Sequence, residues 1–159
     1  VLILHDNDDG LIFRERKRID LWWGGLKGNG GLMMIVAYLL QSSRSWWGSE
    51  VTIKMMVADE QAAEDARSNL NAMIKRLRTG ARAEVIVSGG RTFNEVLHES
   101  SAGADLIMMG MAEPDEHFDA YYESIQKRLS GLPTTLMVLA GEEISYGDVL
   151  LQQDAYEEG

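Results

Sequence analysis

The chain of 159 residues contains no cysteine, only two prolines and no long hydrophobic run. Without cysteine it can form no disulfide, thiolate zinc site or cysteine nucleophile, although this fixes no redox compartment. The most apolar stretch, Leu32–Leu40, is far shorter than the roughly 20 residues of a membrane-crossing helix. It also follows no basic segment, which excludes a signal peptide. If this chain works at a membrane, we expect the membrane-spanning part elsewhere in the polypeptide.

Basic residues are scarce as well: the chain has 15 Lys and Arg but 25 Asp and Glu, which gives a net charge of −10. As a whole, such a surface repels nucleic acid and anionic lipid. Hydrophobic residues at 45% and charged residues at 25% are typical of a soluble globular domain. The length predicts one domain. Because the chain begins with Val1, we expect it to be a piece of a longer polypeptide.

Short apolar runs alternate with stripes of apolar residues at helical spacing. The runs predict strands at Ile19–Trp23, Val51–Val57, Glu84–Val87, Asp105–Met109 and Thr135–Leu139, with one more near Val1–Leu4. Strands that alternate with helices favour a doubly wound α/β fold, with a mostly parallel sheet and helices on both faces. We predict an N-terminal strand and basic connector over residues 1–18, the α/β domain over 19–144, and an acidic C-terminal tail over 145–159.

Capping residues locate the helices more closely. Asp59 is a predicted N-cap for a helix that ends before Gly80, and Thr92 with Glu95 forms a capping-box pattern. Pro114 and Asp115 are predicted to open a helix that Gly131 closes. The run Leu32–Leu40 is hydrophobic all round, which predicts a fully buried helix.

A glycine-rich loop, GGLKGNGG, lies between the first long strand and the apolar helix. Backbone amides at such a place can hold an anion, which makes Gly25, Lys27, Gly28 and Gly30 weak candidates for anion binding. The loop has neither the Gly-Lys-Ser/Thr of a Walker motif nor the third glycine of a dinucleotide fingerprint. A tight structural turn is the favoured interpretation. The loop Ser88–Arg91 is a still weaker candidate of the same kind.

Patterns for catalysis or metal binding are missing. His5, His98 and His117 lack metal-ligand spacing, and no serine lies in a Gly-x-Ser-x-Gly motif. Asp6, Asp8 and Asp9 could gather a hard cation but lack the spacing of a calcium loop. We therefore expect no catalytic residue, no metal and no cofactor, and we predict that the chain is not an enzyme.

Two groups of residues could contact partners. The basic cluster Arg14, Arg16, Lys17 and Arg18 is either a solvated connector or a contact for an acidic partner, a neighbouring domain or the inner membrane face. Trp22 and Trp23 should pack on opposite faces of the sheet, because consecutive strand residues alternate. Trp46 and Trp47 follow a helix in a polar turn, where they either cap the core or anchor an interface.

The segment RIDLWWGG…GGLMMIVAYLL resembles the cytosolic C-terminal domain of the cation–chloride cotransporters. That family has an Ile-Asp-Val-Trp-Trp strand, a Gly-Gly turn and an apolar helix ending near Leu-Leu. The segments HESSAGADLIMMGM and SGLPTTLMVL are similar to its His-Ser-Ser and Leu-Pro-Pro segments, so the resemblance covers roughly residues 18–144. The extra glycines of the turn depart from the metazoan pattern and indicate a prokaryotic-type relative.

This resemblance implies a fold like that of the universal stress proteins, and a non-catalytic regulatory and dimerisation domain of a symporter for sodium or potassium with chloride. It implies a place on the cytoplasmic side of the cell membrane, with the transmembrane domain of the same polypeptide and a second copy as partners. Nucleic acid and direct membrane insertion are not expected. The alternative is a free-standing nucleotide-binding protein of the universal-stress type, although the glycine motif expected near Gly110 is missing.

Overall fold

The computed structural model describes residues 1–6, 17–24 and 28–141. Its strands are β1 (Leu2–His5), β2 (Arg18–Trp22), β3 (Glu50–Val57), β4 (Arg82–Val87), β5 (Leu106–Gly110) and β6 (Thr135–Val138). Its helices are α1 (Asn29–Gln41), α2 (Glu60–Leu77), α3 (Phe93–Ser101) and α4 (Phe118–Leu129). Within the described residues, no helix is long and apolar enough to span a membrane.

The strands form one sheet in the order β1-β6-β5-β2-β3-β4. Neighbours pair in parallel from β6 to β4, and β1 pairs antiparallel with β6 at one edge. The order reverses between β2 and β5, and ligands of doubly wound folds bind beyond the carboxyl ends of the strands at such a point. The prediction of a doubly wound, mostly parallel α/β fold is confirmed.

Two hydrophobic clusters lie on opposite faces of the sheet. One contains buried residues of α1 and α2, and the other contains buried residues of α3 and α4. Trp22 is 4% exposed within the α3–α4 cluster, whereas Trp23 packs against the α1–α2 cluster. The prediction that the two tryptophans face opposite layers is therefore confirmed, because adjacent strand residues alternate in direction.

Two local predictions need correction. The apolar helix α1 is not buried all round, because Tyr38 and Leu39 at its end are 46% and 61% exposed. Helix α4 begins at Phe118 rather than at Pro114 and Asp115, since the Asp115 carboxylate accepts a hydrogen bond from the His117 amide in the preceding turn (2.8 Å). Helix α2 ends at Leu77, before Gly80 as predicted, and Arg78, with φ of 50°, takes the left-handed position after it.

Candidate functional site

A buried polar side chain lies at the carboxyl ends of the strands, near the point where the strand order reverses. Asn29, the first residue of α1, is 3% exposed. Its Nδ2 donates to the carbonyl oxygen of Met111 (3.1 Å), just after β5. Its Oδ1 accepts from the amide of Ala140 (2.8 Å), just after β6. Asn29 therefore ties the start of α1 to the carboxyl ends of both strands, where a ligand of this fold class would lie.

Glycine at position 110 makes room for Asn29, and glycine at position 30 makes room for Trp23. A Cβ atom at Gly110 would lie 2.8 Å from Asn29 Nδ2, and a Cβ at Gly30 would overlap the Trp23 indole. Gly28 has φ of 85°, a left-handed conformation that favours glycine. Gly28 and Gly30 thus have structural roles, as the interpretation of a tight turn expects. The other two anion-binding candidates, Gly25 and Lys27, lie outside the described residues.

The second glycine loop uses its arginine internally. Arg91 donates from Nε to the carbonyl of Ser88 (3.0 Å) and from one terminal nitrogen to the carbonyl of Val87 (3.0 Å). Its other terminal nitrogen pairs with the Glu99 carboxylate at 2.6 Å. Because these contacts hold the guanidinium against its own loop and α3, the structure favours a strand-to-helix turn over a phosphate cradle.

A buried network of charged and polar side chains lies under α3, and the sequence alone did not reveal it. Asp20 in β2 is fully buried, and its Oδ2 accepts a hydrogen bond from Ser101 Oγ (2.8 Å). The same hydroxyl accepts from Trp22 Nε1 (3.0 Å). Lys54 in β3 is 2% exposed, with Nζ 3.2 Å from Asp20 Oδ2. Two full charges are therefore paired inside the sheet–helix layer, where an unpaired charge would be very costly.

Lys54 also holds the end of α3. Its Nζ donates to the carbonyl oxygen and to the hydroxyl of Ser100, each at 2.7 Å. On the solvent side the same nitrogen lies 3.2 Å from a carboxylate oxygen of Glu84, whose side chain is 47% exposed. A cation at a helix C-terminus also interacts favourably with the helix dipole. The network thus joins β2, β3, β4 and α3.

One oxygen of the network remains without a hydrogen bond. Asp20 Oδ1 is buried and has no hydrogen-bond partner among the described residues, and a guanidinium nitrogen of Arg18 lies 3.8 Å from it. Arg18 itself is anchored by its backbone amide, which donates to the Asp105 carboxylate (2.8 Å). Of the predicted basic cluster, Arg14 and Arg16 lie outside the described residues.

The histidines and acidic residues do not form a metal centre in the part of the chain that the structure describes, which contains no group of three potential ligands. His98 Nε2 donates to the carbonyl of Arg128 (2.9 Å) and so ties α3 to α4. His117 is exposed beside Glu116. Asp6 accepts from the Thr134 hydroxyl (2.9 Å), and its neighbours Asp8 and Asp9 lie outside the described residues.

Comparison of the sequence with known proteins identifies its family. The family model described as solute carrier family 12 matches residues 11–92, just over half of the chain. The chain belongs to solute carrier family 12. It is also 32% identical, over 71 residues, to a protein of Caenorhabditis elegans named potassium/chloride cotransporter 3. That similarity covers 43% of this chain and only 6% of the relative's length.

The region matched to solute carrier family 12 contains β2, α1, β3, α2 and β4. It includes Asp20, Lys54 and Glu84 of the buried network, whereas Ser100 and Ser101 lie beyond it. The Ile-Asp-Leu-Trp-Trp and His-Glu-Ser-Ser segments, which carried the resemblance in the sequence, therefore meet in space through Asp20, Trp22 and Ser101.

In this member of solute carrier family 12, the candidate interface residues Trp46 and Trp47 have different environments. Trp46 is partly buried against the α1–α2 cluster, and Lys17 Nζ lies 4.4 Å from the centre of its ring. This contact is a cation–π interaction. Trp47 is 78% exposed. Trp46 thus caps the core, and Trp47 alone of the pair is available as an anchor for a partner.

Proposed function

We propose that the chain is a cytoplasmic regulatory and dimerisation domain of a cation–chloride cotransporter, which carries sodium or potassium together with chloride. The observation that carries this proposal is the family match over residues 11–92, which spans five consecutive elements from β2 to β4. The name of the C. elegans relative supports potassium and chloride as the ions. Their path would lie in the transmembrane domain of the same polypeptide.

A role without catalysis agrees with the contacts of the buried polar side chains among the described residues, which bond to other parts of the fold. The buried charges Asp20 and Lys54 pair with each other and face α3 instead of opening into a cleft. Asn29, at the carboxyl ends of β5 and β6, has both polar atoms of its side chain bonded to backbone groups. Active sites usually place titratable groups in a concave pocket with room for a substrate. These residues instead hold the fold together, which suits a domain that acts through its surfaces.

The edges of the sheet support self-association through β1. The opposite edge strand, β4, carries Arg82 and Glu84, and charged side chains are a common protection against edge-to-edge pairing. Strand β1 has the sequence LILH, with Leu2 and Leu4 exposed at 51% and 61%. An uncharged apolar edge of this kind favours pairing with another strand.

The register shows which backbone groups of β1 face outward. Val1 and Leu139 exchange hydrogen bonds, at 2.7 Å and 2.9 Å. Because such pairs alternate along an antiparallel ladder, the amides of Leu2 and Leu4 face away from β6. A second copy related by a two-fold axis would place its β1 antiparallel to this one, as an isologous dimer requires. The dimer would contain one continuous sheet.

Sedimentation equilibrium at physiological salt, over a wide range of protein concentrations, tests this proposal. We expect a reversible dimer that weakens at low salt, because two copies at −10 repel each other and salt screens that repulsion. Leu4→Lys should abolish the dimer by placing charge on the edge. Leu39→Lys is the matched control, since Leu39 is also 61% exposed but lies on α1, and it should leave the dimer intact. A strict monomer up to millimolar protein would contradict the proposal.

A further inference from the structure

The end of α1 and the turn after it expose three large apolar or aromatic side chains. Tyr38, Leu39 and Trp47 are 46%, 61% and 78% exposed. We call this surface, together with Arg44 in the same turn, the α1 corner. The turn is folded back onto the helix, because Gln41 Nε2 donates to the carbonyl of Ser49 (2.8 Å). The α1 corner is therefore a defined surface at the amino end of the sheet, where β3 begins.

The α1 corner is also free of acidic residues in a strongly acidic protein. No Asp or Glu occurs between Leu21 and Ser49, where the charged residues are Lys27 and Arg44. Lys17 adds a positive charge beside Trp46. The next acidic residue, Glu50, has its carboxylate 3.9 Å from a guanidinium nitrogen of Arg82. The sign of the charge at this corner is thus opposite to the net charge of −10.

This combination selects an anionic partner over a second copy. A two-fold contact at the α1 corner would bring together two surfaces of like charge, with no acidic residue of the corner to pair with Arg44. Tryptophan and tyrosine prefer the headgroup level of a bilayer, where one end is apolar and the other is wet. Arginine and lysine are attracted by the anionic lipids of the cytoplasmic leaflet.

We infer that the α1 corner docks onto an anionic membrane surface, with Trp47 at headgroup level and Arg44 beside the lipid phosphates. This inference rests on the proposed function, which places the chain next to the membrane of a transporter. Repulsion from the rest of the acidic surface decays within a Debye length of about 8 Å at physiological ionic strength. It therefore orients the domain so that the α1 corner approaches the membrane first.

Co-sedimentation of the 159-residue chain with lipid vesicles tests the inference. We expect binding to phosphatidylserine-containing vesicles and much weaker binding to pure phosphatidylcholine vesicles. Arg44→Ser should lower the partition coefficient about fivefold, since each basic residue near such a surface contributes about 1 kcal/mol. Arg76→Ser removes the same charge from an exposed position on α2 and should leave binding unchanged.

Tryptophan fluorescence reports on Trp47 directly. Binding should shift the emission to shorter wavelength, and Trp47→Phe should remove most of this shift while co-sedimentation persists. Trp47→Ser should lower both. Equal binding by the wild type, Arg44→Ser and Trp47→Ser would overturn the inference, as would no binding to anionic vesicles at physiological salt. Loss of the dimer in Leu39→Lys would also overturn it, by making the corner a protein interface. Failure with vesicles alone leaves the β1 dimer, and hence the proposed function, standing.

Discussion

Lys54 and Asp20 lie side by side on adjacent parallel strands, and both are removed from water. Desolvation of each charge is offset by the other charge and by the hydrogen bonds from Lys54 to Ser100 and from Ser101 to Asp20. Because the favourable and unfavourable terms nearly cancel, the pair as a whole adds little to the free energy of unfolding. The loss of one partner, in contrast, leaves a buried charge without compensation.

Lys54→Met should therefore destabilise the fold by about 3–5 kcal/mol, because Asp20 then keeps one hydrogen bond, from the Ser101 hydroxyl, and one more distant cation, Arg18, at 3.8 Å. The double variant Asp20→Leu/Lys54→Met should recover most of this loss, since no charge is then buried. Urea denaturation measures both values.

Arg67→Met is the control for this pair of variants. Its ion pair with Glu60 is on the surface, with side chains 49% and 78% exposed, so we expect a change of at most about 1 kcal/mol. A loss below about 1 kcal/mol for Lys54→Met would mean that water reaches the network, and the account of a buried pair would be wrong.

At the scale of elements, α3 is fixed at both ends. Its start is held by the capping box, in which the Glu95 carboxylate accepts from the Thr92 amide (2.7 Å) and the Thr92 hydroxyl accepts from the Glu95 amide (3.3 Å). Its end is held by Lys54, and its middle is joined to α4 through His98. Helix α3 thus connects the matched part of the sheet to the second half of the chain.

The capping box predicts a pH dependence. The hydrogen bond from the Thr92 amide, followed by that from its hydroxyl, lowers the pKa of Glu95 below its ordinary value of 4.5. A carboxyl whose folded pKa is lowered stabilises the fold above the unfolded pKa. We expect this contribution to be lost as the pH falls through the folded pKa. Carboxyl NMR titration should give a Glu95 midpoint below 4.5.

Substitution of Thr92 separates the two hydrogen bonds. Thr92→Ala removes the hydroxyl and keeps the backbone amide, so the pKa of Glu95 should rise only part of the way towards its ordinary value. Thr92→Ser keeps both donors and should behave like the wild type. A Glu95 midpoint at or above 4.5 in the wild type would show that the capping box does not persist in solution.

At the scale of the whole molecule, a doubly wound sheet binds nucleotides beyond the carboxyl ends of its strands, and here Asn29 bridges the ends of β5 and β6. We predict that the chain shows no saturable binding of ATP by calorimetry at millimolar nucleotide. Asn29 already uses the Ala140 amide at these strand ends, and the net charge of −10 disfavours a polyanionic ligand. Saturable binding that Asn29→Ala strengthens would contradict this prediction and favour the free-standing nucleotide-binding protein.

Much of the fold could be predicted from the sequence because its signals are local. The caps at Asp59 and Thr92 bond to residues three positions away, and both are confirmed. The buried network is different, since Ser101 and Asp20 are 81 residues apart and meet only after the sheet and α3 have formed. A charged residue inside an apolar strand, as at Lys54, was the one available signal, because such a residue must find a partner.

The exposure of α1 could not be read from its composition. A helix without charged residues predicts burial on all sides, yet its neighbours in the fold decide which faces are covered. Here Met33, Met34 and Ala37 face the sheet, and Tyr38 and Leu39 do not. The role of Asn29 could not be predicted either, because its hydrogen-bond partners, Met111 and Ala140, are distant in the sequence and follow β5 and β6.

A chain that is part of a membrane cotransporter, as we propose, should be found in the membranes of its cells. Immunoblotting of fractionated cells, with an antibody raised against the chain, tests this expectation. The account predicts a polypeptide much longer than 159 residues in the integral membrane fraction, released by detergent and not by high salt or alkaline carbonate. A polypeptide of about this length in the soluble fraction, with none in the membranes, would contradict it.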